Sequence, residues 1–373
     1  MKIVYISNSI IPSRTANSIH VMKMCQAFAD NGHEVILLAP DRYKEYENNV
    51  DNVYSYYGVK ENFRIKKLKY NYLRGISGLF YGFSTYLLVQ KYNPDLVYGR
   101  FASAICILSL KYKAVLELHS PTLGLSKVDS LFFKLFKNKL SKIVLISEAL
   151  KKIYIKEKII YDENKYIVAH DGADKVENLK DKVKLYGDSD KLKVGYVGHL
   201  YKGRGIELII NCAEQLNNFT FHIVGGNQND ISYWKGYLLD KNIQNVYLYG
   251  YVNPSQTVLY RNSFDIVMAP YSNNVSISKS TLNTSTYMSP LKIFEYMSHK
   301  KPIITSDLPV LREVLNEENS ILVDYDNEKE WINAIKKLKN YEFSSMIANN
   351  AFIKFSKKYT WINRVNKILK EVK

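Results

Sequence analysis

Residues 288–297, MSPLKIFEYM, have the makings of a helix end built to meet an anion. Ser289 stands where an N-cap belongs, and Pro290 where a first helical residue can lack its N–H at no cost. The remaining first-turn amides, from Leu291 onward, and the positive end of the helix dipole then form an anion site. Lys292 is the oddity: a cation in a first turn opposes the dipole unless an anion is near. Glu295 follows Leu291 by about one turn, and its carboxylate could accept both hydroxyls of a vicinal diol such as a ribose. Taken alone, the stretch also fits a capped helix with a surface glutamate.

A second candidate is VGYVGHLYKGRGIELI, residues 194–209. A strand ends in Gly198, and a turn carrying His199, Lys202, Gly203, Arg204 and Gly205 leads into a helix. Glycines allow a backbone to approach a phosphate closely, and Lys and Arg neutralise it. In ELHS (117–120), His119 closes a strand, a position that suits structural and binding roles alike. Asn17 and His20 open the first long helix, where Asn17 also suits an N-cap. DGAD (171–174) reads as a turn, with Asp171 and Asp174 less suited to acid catalysis. The Asp pairs in DSD (188–190) and DYD (324–326) fall in loops, and no metal site is expected from them. Residues 271–288, YSNNVSISKSTLNTSTYM, form a long polar loop that could fold over a ligand at the neighbouring helix end.

The elements that must hold these residues form two series of β-rich runs alternating with helical periods. The first runs from KIVYIS (2–7) through EVILLAP (34–40), DLVYGR (95–100), AVLELH (114–119) and KIVLIS (142–147) to KYIVAH (165–170). A polar stretch, residues 176–190, reads as a linker. The second series starts at KLKVGYVG (191–198) and includes FTFHIVGG, VYLYGY, DIVMAP, KPIITS, a helix near 309–315 and SILVDY. Continuously apolar strands alternating with helices imply α/β architecture, with parallel sheets covered on both faces. Ligands in such sheets bind at the carboxyl ends of the strands.

The 373-residue chain carries a formal charge of +16 with 46% hydrophobic residues, enough for two folded cores and suggestive of an anionic partner. Cys25, Cys106 and Cys212 lie in apolar contexts without metal-ligand spacing, as in a reduced compartment. No signal peptide or membrane-spanning run is apparent. Residues 63–92 and 131–142 mix Lys with aromatic and aliphatic residues. They suit either amphipathic membrane-surface elements or ordinary domain helices with snorkelling lysines.

The blocks VGYVGHLYKGRGIELI, SPLKIFEYMSHKKPIITSDLPVLREVL (289–315) and IPSRTANSIHVMKMCQAFADNGHEVILLAP (11–40) resemble retaining glycosyltransferases of the GT-B fold, family 4. The resemblance covers essentially the whole chain. It implies two Rossmann-like domains facing across a cleft: an acceptor domain, 1–175, and a nucleotide-sugar donor domain, 191–357. Residues 358–373 would form a helix packing back toward the first domain. Gly198, His199, Lys202, Arg204, Ser289, Pro290, Leu291, Lys292 and Glu295 would bind the donor, with Arg204 on the diphosphate and Glu295 on the ribose. His119 would contact the sugar near the reacting centre, and Asn17 and His20 would lie on the acceptor side. The family's E-x7-E motif has its first Glu eight residues before Glu295, where this chain has Tyr287. Another residue must then supply that contact, or Tyr287 itself.

The implied reaction moves a sugar to an acceptor hydroxyl with retention, without metal or cofactor, the nucleotide sugar being a substrate. His119, Arg204 and Glu295 would carry it. The expected acceptor is a glycan or polyprenyl-linked precursor of cell-surface polysaccharide or lipopolysaccharide. The expected place is the cytoplasm, peripheral on the inner face of an anionic plasma membrane. A sugar-nucleotide epimerase would share the fold and the donor. A nucleic-acid-binding protein would share only the charge, and the chain lacks any helix-turn-helix, zinc or RNA-recognition signature.

Overall fold

The computed structural model describes residues 1–42, 47, 49–70, 77–159, 162–275 and 283–372. The chain divides into two compact units, Met1–Asp171 with Trp361–Lys373, and Gly172–Thr360. The first unit holds β1 (Lys2–Ile6), α1 (Ala16–Asp30), β2 (Glu34–Asp41), α2 (Val53–Tyr57), β3 (Arg64–Lys69), α3 (Ser77–Tyr92) and β4 (Leu96–Gly99). It continues with α4 (Ala102–Leu108), β5 (Ala114–Leu118), α5 (Lys127–Phe136), β6 (Lys142–Leu145), α6 (Glu148–Lys156) and β7 (Tyr166–Val168). The second holds β8 (Leu192–Val197), α7 (Ile206–Gln215), β9 (Phe219–Val224), α8 (Gln228–Asp240), β10 (Val246–Gly250), α9 (Thr257–Ser263) and β11 (Ile266–Ala269). It ends with α10 (Leu291–Ser298), β12 (Ile303–Ser306), β13 (Ile321–Val323), α11 (Glu328–Lys337) and α12 (Tyr341–Lys358). Last in the chain, α13 (Trp361–Val372) belongs to the first unit.

The strands order as β3-β2-β1-β4-β5-β6-β7 in one sheet and β10-β9-β8-β11-β12-β13 in the other. Every pairing is parallel. Two Rossmann-like units of the GT-B type result. Helices cover both faces of such sheets, which is why KIVYI, AVLEL and IVMA are almost wholly buried. In each sheet the order reverses beside the first strand, between β1 and β4 and between β8 and β11. Loops diverge there and leave room for a ligand. At the first reversal a Cβ on Gly99 would overlap the Ile6 carbonyl oxygen, so only glycine lets the two strand ends approach.

Several expectations change. Residues 64–69 form the edge strand β3, paired with β2 from Ile36↔Arg64 to Asp41↔Lys69, rather than an amphipathic helix. Lysines on an edge strand discourage pairing with another chain, so their charge has a reason apart from membranes. Residues 71–76 of the same stretch lie outside the described residues. The helix expected near 309–315 is a short 3-10 turn at Leu311–Glu313, where Pro309 and the β-branched Val310 and Val314 disfavour a regular helix. Residues 178–186 run along the second unit: Asn262 Nδ2 donates to the carbonyls of Asn178 and Asp181, and the Tyr186 ring stacks 5.3 Å from that of Tyr249.

In α13, Trp361, Arg364, Val365, Ile368, Leu369 and Val372 are buried, the i, i+3, i+4, i+7 stripe of a helix laid on a core. That stripe packs on α1. Gly99→Ala should lower the stability of the first unit by about 2 kcal/mol or more, because the overlapped atom is backbone and cannot rotate away. Urea unfolding would show it, and an unchanged midpoint would contradict the close approach.

Candidate functional site

In the second unit, the turn after β8 docks on the chain leaving β11. Ser272 N donates to Gly203 O at 3.1 Å, and a Cβ on Gly203 would overlap Asn274 O. Gly205, at φ 68°, is the N-cap of α7, and a Cβ there would press on Pro270. These glycines are thus explained by packing of the turn on residues 270–275. Tyr296 ties α10 to the same reversal point, its hydroxyl accepting from Val197 N at 2.9 Å.

Two cations meet over tyrosine rings at this point. The Arg204 guanidinium lies 5.4 Å from the Tyr271 ring centre. Lys292 Nζ lies 3.8 Å from the Tyr196 ring centre and 5.3 Å from that of Tyr271. Neither cation makes an ion pair among the described residues, and Arg204 Nε is buried without a hydrogen-bond partner among them. Burial, then the charge of Arg204, holds the Lys292 ammonium well below the usual lysine range, against the opposing pull of Glu295. Half-buried cations without an ion-pair partner among the described residues, one with an orphaned N–H, fit an anionic ligand. Gly198 lies alongside, where a Cβ would crowd Lys292 Nζ. His199 stacks on Tyr201 at 4.7 Å, while Lys202 is exposed.

The helix cap differs from expectation. Pro290, at ψ 122°, is itself the N-cap, and no side chain caps the helix. A residue preceding proline is pushed out of the helical region, which moves Ser289 outside the helix altogether. Leu291 and Lys292 therefore begin α10, and Lys292 is accommodated by aromatic rings rather than by an anion in this state. Glu295 Oε2 pairs with Nη1 of the buried Arg261 at 3.2 Å, and Arg261 Nε faces His299 Nε2 at 3.4 Å. Tyr287 is 4% exposed, closing a turn whose backbone bond runs from Tyr287 N to Thr284 O. The neck of the polar loop is stitched together, with Thr284 N donating to Val275 O at 2.9 Å and Asn283 Nδ2 to Asn273 O at 2.7 Å. Its tip, 276–282, where a closing loop was expected, lies outside the described residues.

In the first unit, His119 belongs to a buried cluster. His119 Nε2 is 2.5 Å from Glu117 Oε1; His20 Nε2 is 2.7 Å from that oxygen, and His20 Nδ1 is 3.0 Å from Asp171 Oδ1. Arg364 Nη2 donates to Glu117 Oε1 at 3.0 Å and Nη1 to Oε2 at 3.2 Å, while Tyr98 OH also donates to Oε2. Burial would raise the Glu117 carboxyl, but Arg364 and then His20 outweigh it and hold it well below the usual range. Burial, then Arg100, pushes the His119 imidazole down to about 4.

His20 is 1% exposed, its two ring nitrogens within ion-pair distance of these carboxylates but outside hydrogen-bond geometry, so its side chain lies inside this cluster. The N-cap of α1 is Thr15, not Asn17; the buried Asn17 Oδ1 has no hydrogen-bond partner among the described residues. His20, Glu117, His119 and Asp171 bring four ligand atoms within 4.8 Å of one another. Glu117 is already met by a guanidinium fork, a phenol and an imidazole, and that guanidinium would repel a dication. The cluster fits an ion-pair network better than a metal. In DSD and DYD, Asp188 and Asp324 accept from the backbone two residues on, as turn formers do.

Arg364, Tyr98, Tyr196, Tyr271, Arg261 and His299 belong to these two clusters without being marked by any motif in the sequence. One signal existed: Arg364 interrupts the apolar stripe of WINRVNKIL, where a charge must find a partner. The others carry no periodicity that marks them.

Two family models match, Glycosyltransferase Family 4 over residues 18–175 and Glycosyl transferases group 1 over residues 191–340. No curated protein sequence matches the chain. Among solved structures, sucrose-phosphate synthase from Thermosynechococcus elongatus superimposes with TM-score 0.74 at 14% identity, over 99% of this chain and 97% of that one. HepE of Anabaena, in complex with UDP and glucose, gives 0.73 at 15%, over 99% and 98%. A TarM variant of S. aureus, in complex with fondaparinux, α-GlcNAc-glycerol and UDP, gives 0.68 at 13%, over 100% and 99%. At these identities the likeness is one of fold.

Three imidazoles are held down mainly by burial: His119 and His222 to about 4, His299 to about 2. Between pH 6.5 and 4 the unfolded chain therefore binds more protons than the native one, and stability falls as pH falls. Each ring adds a slope of at most about 1.4 kcal/mol per pH unit. Urea midpoints taken from pH 7 to 4.5 should decline, and a level profile would contradict neutral burial of these rings.

Proposed function

The chain belongs to the family 4, group 1 glycosyltransferases of the GT-B fold, and from that membership we propose that it transfers a sugar, with retention and without a metal, from a nucleotide-sugar donor to a hydroxyl of a glycan or lipid-linked acceptor. The observation that carries this reading is the pair of unneutralised cations, Arg204 and Lys292, at the strand reversal of the second unit. As the bond to the anomeric carbon breaks, the leaving diphosphate gathers negative charge, and cations fixed in a low-dielectric setting stabilise it. Glu295, held by Arg261, accepts from the ribose hydroxyls. Uridine diphosphate in the HepE and TarM complexes favours a UDP-sugar. His119 contacts the sugar, with Nε2 turned to Glu117 and Nδ1 available as an acceptor. The leaving phosphate takes the acceptor's proton, since the described carboxylates of both sites are paired with cations or histidines.

A role in surface polysaccharide or lipopolysaccharide synthesis, at the cytoplasmic face of an anionic membrane, accompanies this reading. No helix among the described residues is long and apolar enough to cross a membrane. Phe80, Phe83 and Leu87, at helical spacing on α3, are 46%, 62% and 48% exposed, and Leu131 and Leu135 on α5 are 54% and 63% exposed. With α4 packed against both helices and a chain charge of +16, these residues favour peripheral attachment.

Arg204→Ala and Glu295→Ala should each reduce transfer from a UDP-sugar at least 100-fold, on the order of losing one charge-stabilising donor. Near wild-type turnover in both would sink the assignment. Supplying donor alone and finding an epimerised nucleotide sugar would point to an epimerase instead. The double change Phe83→Ser and Leu87→Ser should weaken binding to anionic liposomes at least five-fold in sedimentation, and unchanged binding would remove α3 from the membrane.

A further inference from the structure

The C-terminal helix contributes one charged side chain to the interior of the first unit, and that side chain is fully committed. Arg364 donates to both oxygens of Glu117, from Nε to His170 O at 2.9 Å, and from Nη2 to Ala169 O at 3.1 Å. Its helix-mate Trp361 stands edge-on to the His20 ring at 5.2 Å. Beyond this fork the carboxylate meets His119, whose side chain is 19% exposed while those of Glu117 and His20 are 0% and 1% exposed. His119 is thus the one imidazole of the cluster with a face open to a ligand.

We propose that Arg364 is a positioning residue for the transfer reaction: by holding Glu117 ionised and oriented, it fixes His119 as the tautomer with hydrogen on Nε2 and a bare acceptor at Nδ1. A carboxylate only accepts, so the imidazole nitrogen facing it carries the hydrogen. Arg suits this role best because its planar fork grips both carboxylate oxygens, where a lysine would supply the charge alone. The charged or titratable groups around His119 are Glu117 on β5, His20 on α1, Arg100 after β4, Asp171 after β7 and, through Glu117, Arg364 on α13. Without Arg364, the buried carboxylate takes a proton itself or passes the demand to His119. The first outcome turns Glu117 into a donor and moves hydrogen to Nδ1; the second makes an imidazolium. Both abolish the bare Nδ1. The inference rests on the proposed contact between His119 and the transferred sugar.

The test uses the full-length protein, with His119 assigned through His119→Gln and its ring nitrogens read by long-range proton–nitrogen NMR at pH 7. Wild type should show the Nε2–H form alone. In Arg364→Met that form should fall below half, with kcat for transfer down about ten-fold or more and donor KM within two-fold, as for loss of alignment rather than of binding. Arg364→Lys, which restores the charge, should recover part of both. Should Arg364→Met not fold, the double variant Glu117→Leu with Arg364→Met removes the buried pair together and keeps the core apolar. The Nε2–H preference should be lost there too. A single Nε2–H form persisting in a folded variant would overturn the inference, and so would a changed tautomer with unchanged kcat. Absence of transfer by wild type would count against the proposed function, and the NMR arm would still decide whether Arg364 sets the tautomer.

Discussion

Glu117 is 1% exposed near the end of β5, and an ionised carboxylate so placed costs several kcal/mol unless its lone pairs are met. The rest of the first unit is arranged around meeting them. Tyr98 reaches it from β4, His20 from α1 and His119 from its own strand end, but none of these supplies a permanent charge. Only Arg364 does, and it comes from the far end of the chain. The chain traverses the whole second unit and returns with α13, whose apolar stripe packs on α1. A helix that were merely amphipathic could pack in several rotations; one that must deliver a guanidinium to a single carboxylate packs in one.

The second unit handles charge in the opposite way. The contact of the buried Arg261 with the half-buried Glu295 is self-contained, whereas Arg204 and Lys292 are left without ion-pair partners among the described residues. Tyr196 and Tyr271 ease that situation, since a cation over an aromatic face gains roughly 0.5–2 kcal/mol. That is less than an ion pair in the same surroundings would give. A site held short of electrostatic satisfaction gains most when an anion arrives, which is how a binding site differs physically from the closed network around Glu117.

Apart from β3, both sheets are legible as alternating apolar strands and helical periods, because burial on two faces imposes that pattern directly. The anion site was legible in part. Arg204, Lys292 and Glu295 stand out by type and position, but the tyrosines beneath them look like ordinary strand residues. Ser289 has the type of an N-cap residue, but the extended ψ of Pro290 starts the helix one residue later. The resemblance puts His20 on the acceptor side through the position of its helix, and a carboxylate from a distant strand cannot be seen in one dimension. Residues 63–69 read as amphipathic because an edge strand with lysines and a basic helix share a composition.

Tyr287 connects these points. In the resembling family a carboxylate stands at that position, and it would neutralise part of the positive charge near α10. Here the position is a buried phenol closing a turn, with burial raising its ionisation further from neutrality. With Glu295 already matched to Arg261, the proposed donor site keeps two uncompensated cations, Arg204 and Lys292. In the proposed donor site, tyrosine in place of the family's glutamate would leave one negative charge fewer, placing more of the binding free energy on the phosphates and less on the sugar. On the proposed donor side, discrimination among sugars would then fall to groups that hydrogen-bond without charge, of which Tyr287 is one.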